Sequence, residues 1–203
     1  MQKITDKNSI LHQIVWKKLQ HGVSSRKSPY HILTCSYLDV EKRIKSCCVV
    51  IRRTIEDKRQ LYFHSDIRHR KIEALQQHPY ISFCVYSKED KLQFRLHGKA
   101  HIHYNNEITE STWGKMQNLS KVCYATDINP GTRIPLMNNG FTKERWEKRF
   151  DLVHEESTFN NFAIVEITLD EIEILYLAID GHQRHQSIWI DEEKRWEHHW
   201  LSP

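Results

Sequence analysis

CCVVIRRTIEDKRQLYFHSDIRHRK, residues 47–71, decides how this chain is read. Cys47 to Ile51 is apolar at every position and ends in Arg52 and Arg53. Leu61 to Ser65 is a second strand-prone run, and Asp66 then leads into Arg68, Arg70 and Lys71. The pattern is strand, turn, strand, helix start. Helix N-termini expose free N–H groups and the positive end of the helix dipole. Cations on a first turn oppose that dipole, so stability alone does not account for them. A phosphate is the first candidate partner. A solvated basic face on a surface helix fits the same spacing, and spacing alone leaves both readings open.

Outward from this hairpin the chain reads as antiparallel β structure. Upstream, residues 8–21 place Ile10, Leu11, Ile14, Val15 and Leu19 on one helical face, with Asn8 or Ser9 as cap and Gly22 as stop. Residues 30–37 form a strand joined to 47–51 by a charged turn, and the two are expected as antiparallel neighbours. Strand 47–51 is apolar on both faces. It should be covered on both, as in a barrel wall that also meets a helix or a partner subunit.

Downstream, Ile67, Ile72, Ala74 and Leu75 give a helix over 67–77 its buried side, and His78-Pro79 ends it. Strands follow over 80–86 and 91–104. In the second, Phe94, Leu96, Gly98, Ala100, Ile102 and Tyr104 share one face, and Gln93, Arg95, His97, Lys99, His101 and His103 share the other. Gly98 marks a bulge or a close backbone approach. The rest reads as a helix over 107–120 capped by Asn105 or Asn106, an irregular loop over 121–141 and a short helix near 142–152. A strand over 162–179 is broken near Asp170-Glu171, and a polar turn over 181–186 leads to a final hairpin over 187–200. About seven antiparallel strands, two or three helices and no βαβ alternation predict a mainly β single domain over 1–203, a small barrel rather than a sandwich.

The totals exclude several function classes. A net charge of +4 over 203 residues is too small to imply nucleic acid. No run approaches a membrane span, and residues 1–20 carry no signal-like apolar core. Five cysteines without a CxxC fit a reducing cytoplasm. Fourteen histidines without HExxH or zinc spacing predict scattered surface histidine and no metal site. His64, Ser65 and Asp66 cannot form a nucleophile triad, because strand neighbours point to opposite faces. The same alternation separates the thiols of Cys47 and Cys48. Glu171 and Glu173 are expected to be solvated on a strand edge.

Three segments remain as a site. The first is the phosphate-like cluster Arg52, Ser65, Arg70 and Lys71. The second is Gln93, whose amide can both donate and accept against a heterocycle edge. The third is Tyr176, with His182, Arg184 and Gln186 on the following turn. Together they suit a ligand with a phosphate tail and a flat polar ring.

In this order the segments VVIRR (49–53), LYFHSDIRHRK (61–71), QFRLHGKA (93–100) and the closing residues 196–203 resemble the pyridoxamine 5'-phosphate oxidase-like FMN-binding split-barrel family, over about residues 10–203. The resemblance implies a mainly β, six-stranded antiparallel split barrel with peripheral helices, and a homodimer with FMN at the subunit interface. It assigns FMN contacts to Val49, Val50, Arg52, His64, Ser65, Arg70, Lys71, Gln93, Tyr176 and Gln186. Cys47, His64, Tyr176 and Gln186 stand where the family has Arg, Tyr, Trp and Arg. On the substrate side it points to Trp113, Gln117, Lys121, His182 and Arg184, which depart from the residues the true oxidases use. Residues 113–131 resemble a subgroup distinct from those oxidases. The expectation is a cytoplasmic FMN-dependent oxidoreductase of unidentified substrate that does not oxidise pyridoxamine phosphate. A non-catalytic flavin or haem binder on the same barrel is the alternative, and a structural or nucleic-acid-interacting protein with a decayed site is a third reading.

Overall fold

The computed structural model describes residues 2–203, with side chains described from Ile10 onward. In chain order the elements are α1 (Gln2–Ser24), β1 (Ile32–Leu38), β2 (Ile44–Ile55), β3 (Gln60–Asp66), α2 (Arg70–Gln77), β4 (Tyr80–Ser87) and β5 (Leu92–Tyr104). Four short helices follow, α3 (Glu107–Lys115), α4 (Asn118–Lys121), α5 (Lys143–Glu147) and α6 (Glu156–Phe159). The chain closes with β6 (Phe162–Tyr176), β7 (Gln183–Ile190) and β8 (Arg195–Leu201).

Strands pair antiparallel in the order β3-β2-β1-β4-β5-β6-β7-β8, and β3 also pairs with β6. That second pairing, with Gln60 opposite Thr168 and Asp66 opposite Phe162, closes six strands into a barrel. The hairpin β7–β8 extends the sheet beyond β6, which brings the strand count to eight among the described residues rather than about seven. Alternation along each strand fills the interior. Leu33, Cys35, Val49, Ile51, Leu61, Phe63, Phe83, Phe94 and Leu96 form one cluster with Val15, Trp16 and Leu19 of α1. Burying a side chain of this size contributes roughly 1.5–3 kcal/mol.

Two register shifts bend the wall. In β2 the pairing steps from Ile51–Phe63 to Arg53–Tyr62, which leaves Arg52 as an extra residue and turns both arginines to solvent. Between β5 and β6 it steps from His97–Glu171 to Gly98–Leu169, so Asp170 is the extra residue at the irregularity expected there. Gly98 serves both roles anticipated for it, since it also lies against the Thr168 backbone.

Several boundaries differ from the sequence reading. Helix α1 starts at Gln2, so Asn8 and Ser9 lie inside it rather than capping it, and their side chains are outside the described ones. It also runs through Gly22 to Ser24. Gly22 is small because the Tyr30 carbonyl packs on it: a Cβ there would stand 2.2 Å from that oxygen. Helix α2 starts at Arg70 rather than 67, because residues 66–69 fold into a side-chain-bonded turn capped by His69. The helix expected over 107–120 splits at Met116 and Gln117, both extended. Asn106 makes the capping box with Thr109. Finally, β7 begins at Gln183, so Arg184 and Gln186 sit on a strand and only His182 remains in the turn.

Candidate functional site

The turn between β3 and α2 sorts its cations. Asp66 accepts from the Arg68 backbone N–H at 2.8 Å and from its Nη2 at 2.7 Å, while Arg68 Nη1 donates to the Thr126 carbonyl at 2.9 Å. Arg68 is therefore consumed in tying the 125–141 loop to the barrel. His69 caps α2, its Nδ1 accepting from the Lys71 N–H at 3.0 Å. Arg70 is left exposed.

Lys71 turns inward and is only 6% exposed. Its Nζ lies 5.0 Å from the Phe63 ring centroid and 3.9 Å from Cys47 Sγ. No carboxylate pairs with it among the described residues. A buried ammonium with only a ring and a sulfur for company is costly unless an anion joins it. Ser65 is buried on the same wall of β3 as Phe63, and its hydroxyl makes only a long 3.4 Å bond to the Asp66 carbonyl.

Arg52 belongs to a neighbouring cleft. The bulge aims it outward beside His64, and the two line a cavity of about 520 Å³ with Arg53, Tyr62, Lys115 and Met116. An adjoining cavity of about 370 Å³ shares Arg52, His64 and Met116 and adds Arg26, Gln117 and Tyr124. Burial, with the nearby Arg52 charge, holds the His64 imidazole down at about 4, so it presents a neutral ring to the cleft at ordinary pH. Arg26, Arg53 and Lys115 were not singled out from sequence. Arg26 lies in a polar loop with no pattern to flag it, and Arg53 comes to the cleft only through the bulge.

Of the substrate-side candidates, Gln117 lines this cleft. Trp113 packs against Tyr124, Phe159 and Phe162, and Lys121 Nζ lies buried 5.1 Å from the Trp113 ring centroid. These two build a satellite core. Val49 faces the barrel interior, and Val50 is partly exposed on the outer wall.

Part of the third group gathers on the outer face of β5, β6 and β7. Gln93 stands opposite Tyr86 and Leu175, Leu175 opposite Arg184, Tyr176 opposite Leu92 and Gln183, and Glu173 opposite Gln186. Gln93, Arg184 and Gln186 thus share that face, while Tyr176, one residue past Leu175, points to the other face beside Leu92, Ile174 and His185, and His182 is exposed in the turn before β7. The acidic residues here are not solvated as expected. Glu173 is buried, accepting from Arg184 Nε at 2.6 Å with Arg95 3.7 Å away, and Glu171 accepts from Gln186 at 2.7 Å. The first half of β7, residues 183–186, read from sequence as part of a turn, is what carries Arg184 onto Glu173. His97 approaches both carboxylates closely enough for metal-ligand spacing, but its Nδ1 is engaged by Ser82 at 2.8 Å. The cluster is an ion-pair and hydrogen-bond network. Within one chain Gln93 faces outward from the barrel while Lys71 reaches inward.

Comparison with known proteins places this geometry. Residues 13–104 match the family model described as pyridoxamine 5'-phosphate oxidase, FMN-binding domain. The match holds β1 to β5 and α2, hence Arg52, Ser65, Arg70, Lys71 and Gln93. A pyridoxine/pyridoxamine 5'-phosphate oxidase 2 of Arabidopsis thaliana is 26% identical over 122 residues, covering 58% of this chain and 59% of the relative. The chain therefore matches about three-fifths of that relative's length. Among solved structures, a pyridoxamine 5'-phosphate oxidase-related, FMN binding protein from Nostoc punctiforme aligns with a TM-score of 0.73 at 18% identity, over 94% of this chain and 96% of that one. PhzG from Burkholderia lata, in complex with tetrahydrophenazine-1-carboxylic acid, aligns at 0.71 and 15% identity, over 94% and 91%. At these identities the likeness shows the fold, a pyridoxamine 5'-phosphate oxidase-like split barrel across nearly the whole chain.

Proposed function

We propose that this protein binds FMN and works as a homodimeric oxidoreductase on a substrate other than pyridoxamine phosphate. The observation that carries the reading is Lys71, a buried ammonium with no carboxylate partner among the described residues, in the segment that matches the FMN-binding family model. The residues present fit the cofactor. Lys71 and Arg70 would hold the phosphate with Ser65 beside them, and Arg52 would face the flavin side of the cleft. Bound FMN would supply the hydride-accepting chemistry that no side chain here provides. The chain's own part is to bind, to orient and to exclude water. Neutral His64 can hydrogen-bond in the cleft without adding a charge.

The homodimer is supported by the outer wall of β1, β2 and β4. Ile32, Leu38, Ile44, Tyr80 and Tyr86 all point outward there, with Ile44 77% and Tyr80 64% exposed. A groove of about 350 Å³ runs between Leu38, Ile44 and Tyr80. Contiguous exposed apolar residues of this size mark an interaction surface. A second copy seated on it would cover the outer face of the strand that is apolar on both sides, and would bring an outward-facing Gln93 and Gln186 within reach of the first copy's cleft. The substrate assignment follows from the cations: Lys121 is packed under Trp113 and Arg184 is committed to Glu173.

The test is the visible spectrum of the purified chain, before and after adding FMN, with any released cofactor identified after denaturation. A stoichiometric flavin spectrum, a dimer by light scattering and no turnover of pyridoxamine 5'-phosphate are expected. A colourless protein that takes up no FMN overturns the proposal. A haem Soret band shifted by cyanide would move the site to haem.

A further inference from the structure

Strands β1 and β2 place Cys35 directly opposite Cys47. Facing residues of an antiparallel pair have Cα atoms about 4.5 or 5.5 Å apart, depending on the pair type. A disulfide spans roughly 4.4–6.8 Å between Cα atoms, so either pair type accommodates one. The two residues are free thiols, with sulfurs 3.4 Å apart. Lys71 Nζ, a buried cation with no carboxylate partner among the described residues, stands 3.9 Å from Cys47 Sγ. Two sulfurs and an ammonium thus converge where the barrel wall meets α2.

The pair is asymmetric. Cys35 is fully buried, whereas Cys47 is partly exposed. The hydrogen bond from Cys35, aided by the Lys71 charge, outweighs burial and holds the Cys47 thiol well below its ordinary range. The same bond and its own burial push Cys35 well above it. Tyr37 is the other ionisable neighbour, and burial keeps it a neutral phenol. Cys47 is therefore the thiolate, with Cys35 donating its S–H to it.

We propose that Cys35 and Cys47 form a peroxide-reactive dithiol, in which Cys47 attacks, Cys35 resolves and Lys71 holds the thiolate. Cys47 Sγ attacks one oxygen of hydrogen peroxide. The O–O bond breaks, hydroxide leaves and takes up a proton from solvent, and Cys47 becomes a sulfenic acid. Cys35 Sγ then attacks Cys47 Sγ and the S–O bond breaks. The departing hydroxide takes the Cys35 proton and leaves as water, and a cross-strand disulfide remains. Two thiols and one peroxide give one disulfide and two waters, with two electrons passing from sulfur to oxygen. The reaction is separate from flavin chemistry and does not rest on FMN being bound.

Exposure alone predicts a different order, because Cys48, Cys84 and Cys123 are all more exposed than Cys47. The test treats the reduced full chain, as isolated, with a stoichiometric amount of hydrogen peroxide, followed by alkylation, digestion and mass spectrometry. A Cys35–Cys47 linked peptide that thiol reductant reverses is expected. Cys35→Ser should stop at a Cys47 sulfenic acid that dimedone traps. Lys71→Met should slow Cys47 alkylation at slightly acid pH on the order of tenfold and move its pH profile up toward that of an ordinary thiol. Oxidation of Cys48 or Cys84 first, with Cys35 and Cys47 still alkylatable after denaturation, overturns the proposal. An unchanged pH profile in Lys71→Met overturns the role of the lysine.

Discussion

Gly98 lies against the backbone of Thr168 so closely that a Cβ on it would stand 2.3 Å from the Thr168 carbonyl oxygen. The contact sits at the bulge that leaves Asp170 unpaired, where β5 and β6 change register. Neither backbone can retreat without breaking the ladder between the two longest strands. Gly98→Ala should cost at least the ~1–3 kcal/mol typical of overpacking, read as a lower urea midpoint at unchanged slope. Gly114, in the last turn of α3, is the control, because a Cβ added there would meet nothing within 4 Å. Gly114→Ala should be neutral or stabilising by up to about 1 kcal/mol.

A pH dependence follows from histidines buried beneath the β7–β8 hairpin. His185 is 1% exposed, and neither ring nitrogen has a hydrogen-bond partner. His12 and His198 lie on either side of this packing, with His198 5.5 Å from His185 and 5.6 Å from His12 by ring centroid. Burial, reinforced by repulsion from His198, lowers His12 and His185 to about 4, and burial with the His199 and Arg195 charges also lowers His198. Folded values below the unfolded 6.5 mean that the unfolded chain binds more protons in acid. This contribution is fully present above about pH 6.5 and is lost as pH falls toward 4, by an amount on the order of 2 kcal/mol for each fully buried ring. Urea titrations at a series of pH values should show that slope. His185→Leu, which removes two unsatisfied polar atoms, should flatten it and be no less stable at neutral pH.

Arg184 should act on stability rather than on ligand binding. It donates to the buried Glu173 through Nε and forms an ion pair with it through Nη2, and Arg95, 3.7 Å from the carboxylate, is too distant to replace it. Arg184→Ala strands a buried charge and should cost about 2–4 kcal/mol, near the range for breaking a buried pair. The double variant Arg184→Met with Glu173→Leu should recover most of it. Thermal unfolding of the three variants reads the difference.

Lys71 is expected to show the opposite balance. Its ammonium is buried with only the Phe63 ring and Cys47 beside it among the described residues, so Lys71→Met should change the stability of the ligand-free chain little. A charge-assisted hydrogen bond to a phosphate contributes about 1.5–3 kcal/mol, so FMN affinity should fall roughly tenfold to a hundredfold. Fluorescence titration of FMN against both proteins measures this. An unchanged affinity would remove Lys71 from the cofactor site.

The barrel was legible because its signals are local. Alternation in Leu92–Tyr104 marked the inner face through Phe94 and Leu96, and within the apolar run at 47–51 Val49 and Ile51 enter the core while Cys48 and Val50 face outward. The approximate place of the Asp170 bulge was visible as a break in alternation. Helix boundaries were less legible. Gly22 reads as a stop, yet it is there to admit the Tyr30 carbonyl, a contact that exists only once the chain has folded back. Likewise Arg184 and Gln186 read as turn residues, because polar side chains paired to carboxylates on a neighbouring strand look like solvated ones.

Sequence by itself determined the strand-turn-strand-helix unit at 47–71, the residue types of an anion site and the resemblance to an FMN-binding barrel. Periodicity and turn chemistry are properties of adjacent residues and need no fold to be read. Only the tertiary structure decided which cation is free. Asp66 and Thr126 claim Arg68, a bulge swings Arg52 into a separate cleft, and Arg70 stays in solvent, while Lys71 alone turns inward to meet Phe63 and Cys47. The same folding set Cys35 against Cys47 across two strands. Charge in a sequence is only a count; burial and the distance to a partner, which arise when remote segments meet, turn it into a site.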